Sequence, residues 1–124
     1  MTSILVIDDD EALCRAVAET LTKAGYETRM FHDGQEALRR FEDDPTDIVL
    51  TDVFMPNLDG LEVIAMLRRI SPSTCIVAMS GYDSADDIDY LKVAKAFGAT
   101  STLKKPFRSA ELLKAVAACS PEDK

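Results

Sequence analysis

Residues 4–10 read ILVIDDD, four apolar residues followed at once by three aspartates. An uninterrupted apolar run of this length, ended by polar residues, is typical of a strand buried on both faces of a parallel sheet. We therefore expect a β-strand at residues 4–7 with acidic side chains at its carboxyl end. An α/β fold is the first prediction that follows.

The rest of the chain repeats this pattern, with short apolar runs followed by longer segments of helical spacing. Five strand–helix units are predicted, with strands at 4–7, 27–31, 48–52, 75–79 and 101–103 and helical stripes at 12–21, 34–41, 61–68, 88–97 and 109–116. Alternating strands and helices form a parallel sheet covered on both faces, because each crossover is right-handed. The sequence thus predicts a (βα)5 doubly wound parallel five-stranded sheet.

Length and composition limit the classes of function. The 124 residues suit one domain without a linker, so we expect a single domain over residues 1–124 and no effector domain. The formal net charge of −8 and the scattered basic residues argue against direct nucleic-acid binding. No apolar run approaches the ~20 residues of a membrane span, and no basic segment precedes a signal-like apolar stretch. We expect a cytoplasmic protein.

The three cysteines, Cys14, Cys75 and Cys119, are odd in number and widely spaced. Such spacing fits neither a disulfide framework nor a metal knuckle. The sequence therefore predicts three reduced thiols in the core.

Polar residues that can carry chemistry follow several of the predicted strands. Asp8 and Asp9 follow the first strand, Asp52 the third, Ser80 the fourth and Lys105 the fifth. All of them lie at the carboxyl edge of the predicted sheet, where open α/β sheets bind ligands. Clustered carboxylates must hold a proton or bind a cation, and oxygen ligands favour a hard ion such as Mg²⁺. A lysine and a hydroxyl beside them suit a phosphoryl group.

Four motifs on this scaffold resemble one known family. The stretch at 4–10 is similar to the opening strand and acid pair of response-regulator receiver domains, and DVFMPNLDG at 52–60 is similar to their phosphoacceptor loop, D-x-x-M-P-x-x-D-G. Ser80-Gly81 resembles their step of a hydroxyl followed by a small residue, and KPF at 105–107 resembles their K-P-F signature. The motifs occur in order over essentially the whole chain. The resemblance implies a flavodoxin-like strand order of 2-1-3-4-5.

The resemblance also implies a metal and a phosphoacceptor. Asp52 would accept the phosphoryl group, and Mg²⁺ or Mn²⁺ would be held at its carboxylate. Asp9 would bind the metal directly, Asp8 mainly through water, and the backbone carbonyl of Phe54 would complete the protein ligands.

Two further residues would bind the phosphoryl oxygens, and one position departs from the family. Ser80 and Lys105 would contact the phosphoryl oxygens, and the Lys105–Pro106 peptide bond would be cis. Receivers usually carry Tyr or Phe three positions before this lysine, where the present chain has Thr102. The aromatic switch of the family therefore cannot operate in its usual form.

Some aspartates and basic residues have simpler interpretations. We expect Asp10 to cap the first helix and Asp59-Gly60 to form the turn before the third. Lys104 and the single histidine, His32, are expected to lie on the surface.

The implied function is a signalling switch and not an enzyme, apart from its own phosphorylation and dephosphorylation. Its partners would be a histidine kinase or histidine phosphotransfer protein and an unidentified downstream protein, with the chain a monomer or a phosphorylation-linked dimer. Two alternatives stay open, a phosphorylation-independent scaffold and an aspartyl-phosphate phosphohydrolase. Phosphohydrolases usually place a second acid where this chain has Phe54.

Overall fold

The computed structural model describes residues 2–53, 60–80 and 90–119. Within them, strands and helices alternate: β1 Ser3–Ile7, α1 Glu11–Lys23, β2 Glu27–Phe31, α2 Gly34–Asp43, β3 Ile48–Asp52, α3 Gly60–Ile70, β4 Cys75–Ser80, α4 Tyr90–Phe97, β5 Ser101–Lys104 and α5 Ser109–Ala117. Each predicted strand is present. Strand β1 begins one residue earlier than expected, and β4 and β5 end one residue later.

The strands form one parallel sheet in the order β2-β1-β3-β4-β5. The predicted doubly wound α/β architecture and its strand order are therefore confirmed. Strand β1 lies between β2 and β3, with Ile7 paired to Thr51. The second strand is added on one side of β1, and the third to fifth strands are added on the other side. This change in the order of the strands opens a crevice at the carboxyl edge of the sheet.

Two hydrophobic clusters lie on opposite faces of the sheet, which explains the uninterrupted apolar run of β1. Leu5 and Ile7 pack with α2, α3 and α4, whose buried residues include Ala37, Leu38, Phe41, Val63, Ile64, Leu67 and Ala94. Ile4 and Val6 pack on the other face with α1 and α5, through Cys14, Val17, Leu21, Leu112 and Val116. Because successive strand residues point to opposite faces, a strand covered on both sides must be apolar throughout.

Helix ends are defined by local hydrogen bonds and by glycine. The Asp10 carboxylate accepts from the backbone N–H of Leu13 at 3.1 Å and so caps α1. The helix is followed by Gly25, whose φ of +102° lies in the region that only glycine adopts without strain. None of the helices in the described part of the chain is long and apolar enough to cross a bilayer.

One structural side chain, Arg68 of α3, holds two loops together. Its guanidinium donates to the backbone carbonyl of Gly98 at 2.7 and 3.0 Å and to those of Pro72 and Thr74, each at 2.8 Å. A helix C-terminus leaves carbonyl groups without intrahelical partners, and a cation satisfies them well. Arg68 therefore links the end of α3 to the end of α4.

The cysteine prediction is wrong for two of the three residues. Cys75, which begins β4, and Cys119, which follows α5, form a disulfide with a Cα–Cα distance of 5.8 Å. The third, Cys14, is a free and buried thiol. Spacing along the chain concealed the pair, because the fold brings together residues that are 44 positions apart.

Candidate functional site

Three carboxylates meet where β1 and β3 end. Because Ile7 pairs with Thr51, Asp8 and Asp52 come next to each other at the carboxyl edge. One carboxylate oxygen from each of Asp8, Asp9 and Asp52 lies within 4.8 Å of the others. Asp8 is 0% exposed and Asp52 is 6% exposed, whereas Asp9 faces solvent. The structure thus brings together all three predicted acidic residues, two buried and one open to water.

Lys105 completes this group, which we call the carboxyl-edge cluster (Asp8, Asp9, Asp52 and Lys105). Its Nζ atom lies 2.8 Å from Asp8 Oδ2 and 3.4 Å from Asp52 Oδ1. The backbone N–H of Lys105 donates to the carbonyl of Ser80 at 2.9 Å, and the Lys105–Pro106 peptide bond is cis. The hydrogen bond to Ser80 holds the start of the loop after β5 beside the end of β4.

Charge in the cluster favours a bound cation. Burial opposes the charged form of Lys105, but its hydrogen bond to Asp8 and the charge of Asp52 outweigh burial, and the pKa of Lys105 is raised above 10.5. Three carboxylates and one ammonium leave two negative charges unbalanced. Oxygen ligands beside an open position suit a hard divalent ion that keeps part of its water. The residues present therefore fit a magnesium-type ion.

The two oxygens of Asp8 are already engaged by the protein. Oδ1 accepts from the backbone N–H of Asp10 at 3.0 Å, and Oδ2 pairs with Lys105. Sequence reasoning treated Asp10 only as a helix cap and missed this second contact. Asp8 is consequently held in one orientation.

Ser80 and Thr102 lie on β4 and β5, the two strands at one edge of the sheet. Ser80 ends β4, is 4% exposed and pairs in register with Lys104. Thr102 pairs with Ala78, whose side chain belongs to the face covered by α2, α3 and α4. Since Thr102 shares that face and is half-buried, the position of the family aromatic holds a small polar residue beside α4.

Gly60 is a site residue that the sequence interpretation reduced to a turn. Its N–H donates to the carbonyl of Val53 at 3.0 Å, and a Cβ atom here would overlap the backbone of Asp52 and Val53. The start of α3 therefore rests directly on the backbone of Asp52. The signal was the Asp-Gly pair at the end of the 52–60 motif, because glycine permits such close backbone approach.

His32, expected on the surface, is exposed but contacts the cluster backbone. Its Nδ1 atom lies 3.1 Å from the backbone oxygen of Asp8. Phe54, expected to offer its carbonyl to a metal, lies outside the described residues, as do residues 55–59 and 81–89.

A hollow of about 330 Å³ adjoins the cluster. Leu13 of α1 and the loop residues Lys105, Pro106 and Phe107 line it. The cluster is therefore bordered by a mainly apolar surface.

Comparison with known proteins yields one consistent set of relatives. The family model described as "Response regulator receiver domain" matches residues 4–117. Response regulator MprA of Mycobacterium ulcerans (strain Agy99) is 40% identical over 111 residues, which cover 89% of this chain and 46% of that protein. The chain thus spans about half the length of the curated relatives it matches.

Solved structures agree with this match in fold and extent. Chemotaxis response regulator CheY4 of Vibrio cholerae superposes with a TM-score of 0.85 at 32% identity, covering 97% of this chain and 99% of that one. A response regulator receiver domain protein from Clostridium thermocellum has a TM-score of 0.88 at 27% identity, covering 99% of this chain and 97% of that one.

Proposed function

The chain belongs to the response regulator receiver domain family of two-component systems, whose members are phosphoacceptor switches, and we propose that Asp52 is its phosphoacceptor. The observation that carries the proposal is the position of Lys105, with its Nζ atom 3.4 Å from Asp52 Oδ1 inside a cluster of three carboxylates. A lysine held between carboxylates is already positioned for an incoming anionic group.

The proposed reaction is a direct transfer to Asp52. A carboxylate oxygen of Asp52 attacks the phosphorus of a donor phosphohistidine, the new P–O bond forms as the P–N bond breaks, and the donor imidazole departs. Lys105 offsets negative charge on the transferred group, and the Ser80 hydroxyl donates to one of its oxygens. Asp8 keeps Lys105 in place throughout.

Asp9, Asp52 and the backbone carbonyl of Phe54 are proposed to bind Mg²⁺ or Mn²⁺ directly, and Asp8 through water. Support comes from the difference between the two neighbouring acids, because Asp8 is buried and engaged by Asp10 and Lys105 while Asp9 is exposed. When bound, the ion supplies positive charge that offsets the charge of the phosphoryl oxygens.

The proposed donor is a sensor histidine kinase or a histidine phosphotransfer protein. The hollow lined by Leu13, Pro106 and Phe107 lies beside Lys105 and offers an apolar contact surface to that donor. Output would occur by binding an unidentified downstream protein, with the chain a monomer or a phosphorylation-linked dimer. We propose a cytoplasmic location and treat residues 1–124 as one receiver unit.

Receiver domains are generally not conventional enzymes. We propose that this chain catalyses only its own phosphorylation and dephosphorylation. Thr102 implies that the phosphorylated state is transmitted without the inward rotation of an aromatic ring at this position. The phosphorylation-independent scaffold and the phosphohydrolase are the competing functions.

Incubation with acetyl phosphate and Mg²⁺, followed by intact mass measurement, tests the proposal. We expect one added phosphoryl group on the parent, none on Asp52→Asn, and one on Asp43→Asn. Asp43 is a matched control because it is an exposed aspartate at the end of α2, away from the cluster. An unmodified parent protein would favour the scaffold, and repeated release of phosphate from a phosphomonoester would favour the phosphohydrolase.

A further inference from the structure

The disulfide joins two elements at the edge of the sheet opposite the carboxyl-edge cluster. Cys75 is the first residue of β4, whereas Ser80 is its last, so the two ends of this strand lie about 16 Å apart. Cys119 follows the last turn of α5, and its N–H donates to the carbonyl of Val116 at 3.0 Å. The bridge therefore attaches the carboxyl end of α5 to the sheet, away from the proposed phosphoacceptor.

We propose that Cys75 and Cys119 form a reversible thiol–disulfide site that fixes the end of α5 when oxidised and releases it when reduced. This inference goes beyond the phosphoacceptor function and does not depend on it.

The fold has a complete core without the bridge. Two clusters fill both faces of the sheet, and α5 is already anchored by the buried side chains of Leu112 and Val116. Disulfides are typically needed as structural supports in chains too small to build such a core. Because the core is sufficient without the disulfide, we infer that the disulfide controls the position of the end of α5.

Accessibility distinguishes this pair from the third cysteine. Cys75 and Cys119 are half-buried at the rim of their cluster, whereas Cys14 is 0% exposed. Thiol–disulfide exchange requires a small thiolate to reach a sulfur atom, so partly exposed bridges exchange more readily than buried ones. Burial also raises the pKa of the Cys14 thiol to about 11, which keeps it protonated and unreactive.

The reaction partner would be a low-molecular-weight thiol–disulfide couple of the glutathione type. During oxidation one protein thiolate attacks the small disulfide, forms a mixed disulfide and releases one small thiol. The second protein thiolate then attacks the mixed disulfide, forms the Cys75–Cys119 bond and releases the second small thiol. Two electrons pass from the two cysteines to the small disulfide, and the same steps in reverse reduce the bridge.

The consequence would be local to α5. The receiver match ends at residue 117, which is also the last residue of α5. Cys119 lies just beyond this point. Reduction would leave the last turn held only by Val116 and its neighbours, and that turn would open more often. The phosphoacceptor edge would keep its structure because it lies at the other end of the strands.

The test equilibrates the folded protein in glutathione buffers of increasing oxidised fraction, quenches with acid and counts thiols by alkylation and intact mass. We expect the folded protein to lose two alkylatable thiols together over one transition, while Cys14 reacts only after denaturation. Hydrogen exchange of the amides at residues 113–119 should be about tenfold faster in the reduced protein.

Cys75→Ser and Cys119→Ser should each abolish the joint loss of two alkylatable thiols. Cys14→Ser should leave that joint loss unchanged. Reduced parent protein provides the same comparison without a mutation, should a variant fold poorly. A bridge that no glutathione buffer opens in the folded protein would overturn the proposal, as would two cysteines that react independently. Equal hydrogen-exchange rates of the α5 amides in both redox states would overturn the proposal that the bridge fixes the end of the helix.

Discussion

The ammonium of Lys105 and the buried carboxylate of Asp8 form a direct ion pair, with Nζ 2.8 Å from Oδ2. The side chain of Asp8 is 1% exposed and that of Lys105 is 18% exposed, so water weakens the pair only in part. Asp8 therefore fixes the position from which Lys105 faces Asp52.

Lys105→Met should slow phosphorylation by acetyl phosphate about 100-fold, because a positive charge aimed at the transferred group is lost. Initial rates from intact mass at saturating Mg²⁺ provide the measurement. Lys104→Met is the matched control, since Lys104 is the adjacent, exposed lysine at the end of β5, and it should keep a rate close to that of the parent. Equal losses in both variants would indicate a general charge effect and not a positioned lysine.

Gly60→Ala should lower the free energy of unfolding by about 3 kcal/mol and also reduce phosphorylation, because the new Cβ atom pushes on the backbone of Asp52 and Val53. Urea denaturation and the mass assay measure the two effects. Gly25→Ala is a useful contrast, since its Cβ would meet no atom within 4 Å and only the φ of +102° is strained. It should cost about 1 kcal/mol and leave phosphorylation unchanged. A Gly60→Ala protein with normal phosphorylation would show that Asp52 tolerates the displacement.

Arg68→Ala should lower the free energy of unfolding by about 2–4 kcal/mol, because the carbonyls of Pro72, Thr74 and Gly98 lose charged donors. The neighbouring Arg69 is exposed, and Arg69→Ala should change stability by less than about 0.5 kcal/mol. Urea denaturation of both variants checks the difference. Similar stability for the two would mean that water replaces the Arg68 guanidinium at little cost.

Alkaline pH should destabilise the protein partly through Cys14. The pKa of Cys14 in the folded protein is about 11 and lies above the ordinary thiol value of 9.0, because the thiol is buried. Its contribution to stability is therefore intact below pH 9 and is lost as pH rises towards 11. The expected loss is roughly 3 kcal/mol, and Cys14→Ala should lack it. Unfolding measured from pH 8 to 11 tests this. The raised pKa of Lys105 adds a decline at still higher pH in both proteins. Parallel curves for parent and variant would contradict the Cys14 contribution.

Much of the fold followed from the sequence because both faces of the sheet are covered. Double burial gives β1, β3 and β4 continuous apolar runs at 4–7, 48–50 and 75–79, which are recognisable without knowledge of any partner. Parallel strands also place all their carboxyl ends on one edge, so Asp8, Asp52 and Lys105 could be grouped before their distances were known.

Other features depend on contacts between distant parts of the chain. The Cys75–Cys119 bridge joins positions 44 apart, and nothing near either cysteine in the sequence marks the other. Arg68 and Arg69 are adjacent arginines that the sequence alone does not distinguish. In the structure Arg68 contacts the loops after α3 and α4, whereas Arg69 is exposed. The Asp-Gly pair marked a turn at Gly60, but the sequence did not show that this turn rests on the backbone of Asp52.

The ion pair between Asp8 and Lys105 also bears on how the protein is made. Its two residues lie 97 positions apart, so the pair can form only after β5 and the loop that follows it have been synthesised. A nascent or truncated chain that has formed only β1, α1 and β2 carries the first acids but lacks Asp52 and Lys105. Such a product cannot assemble the carboxyl-edge cluster, because two of its four members have not yet been made.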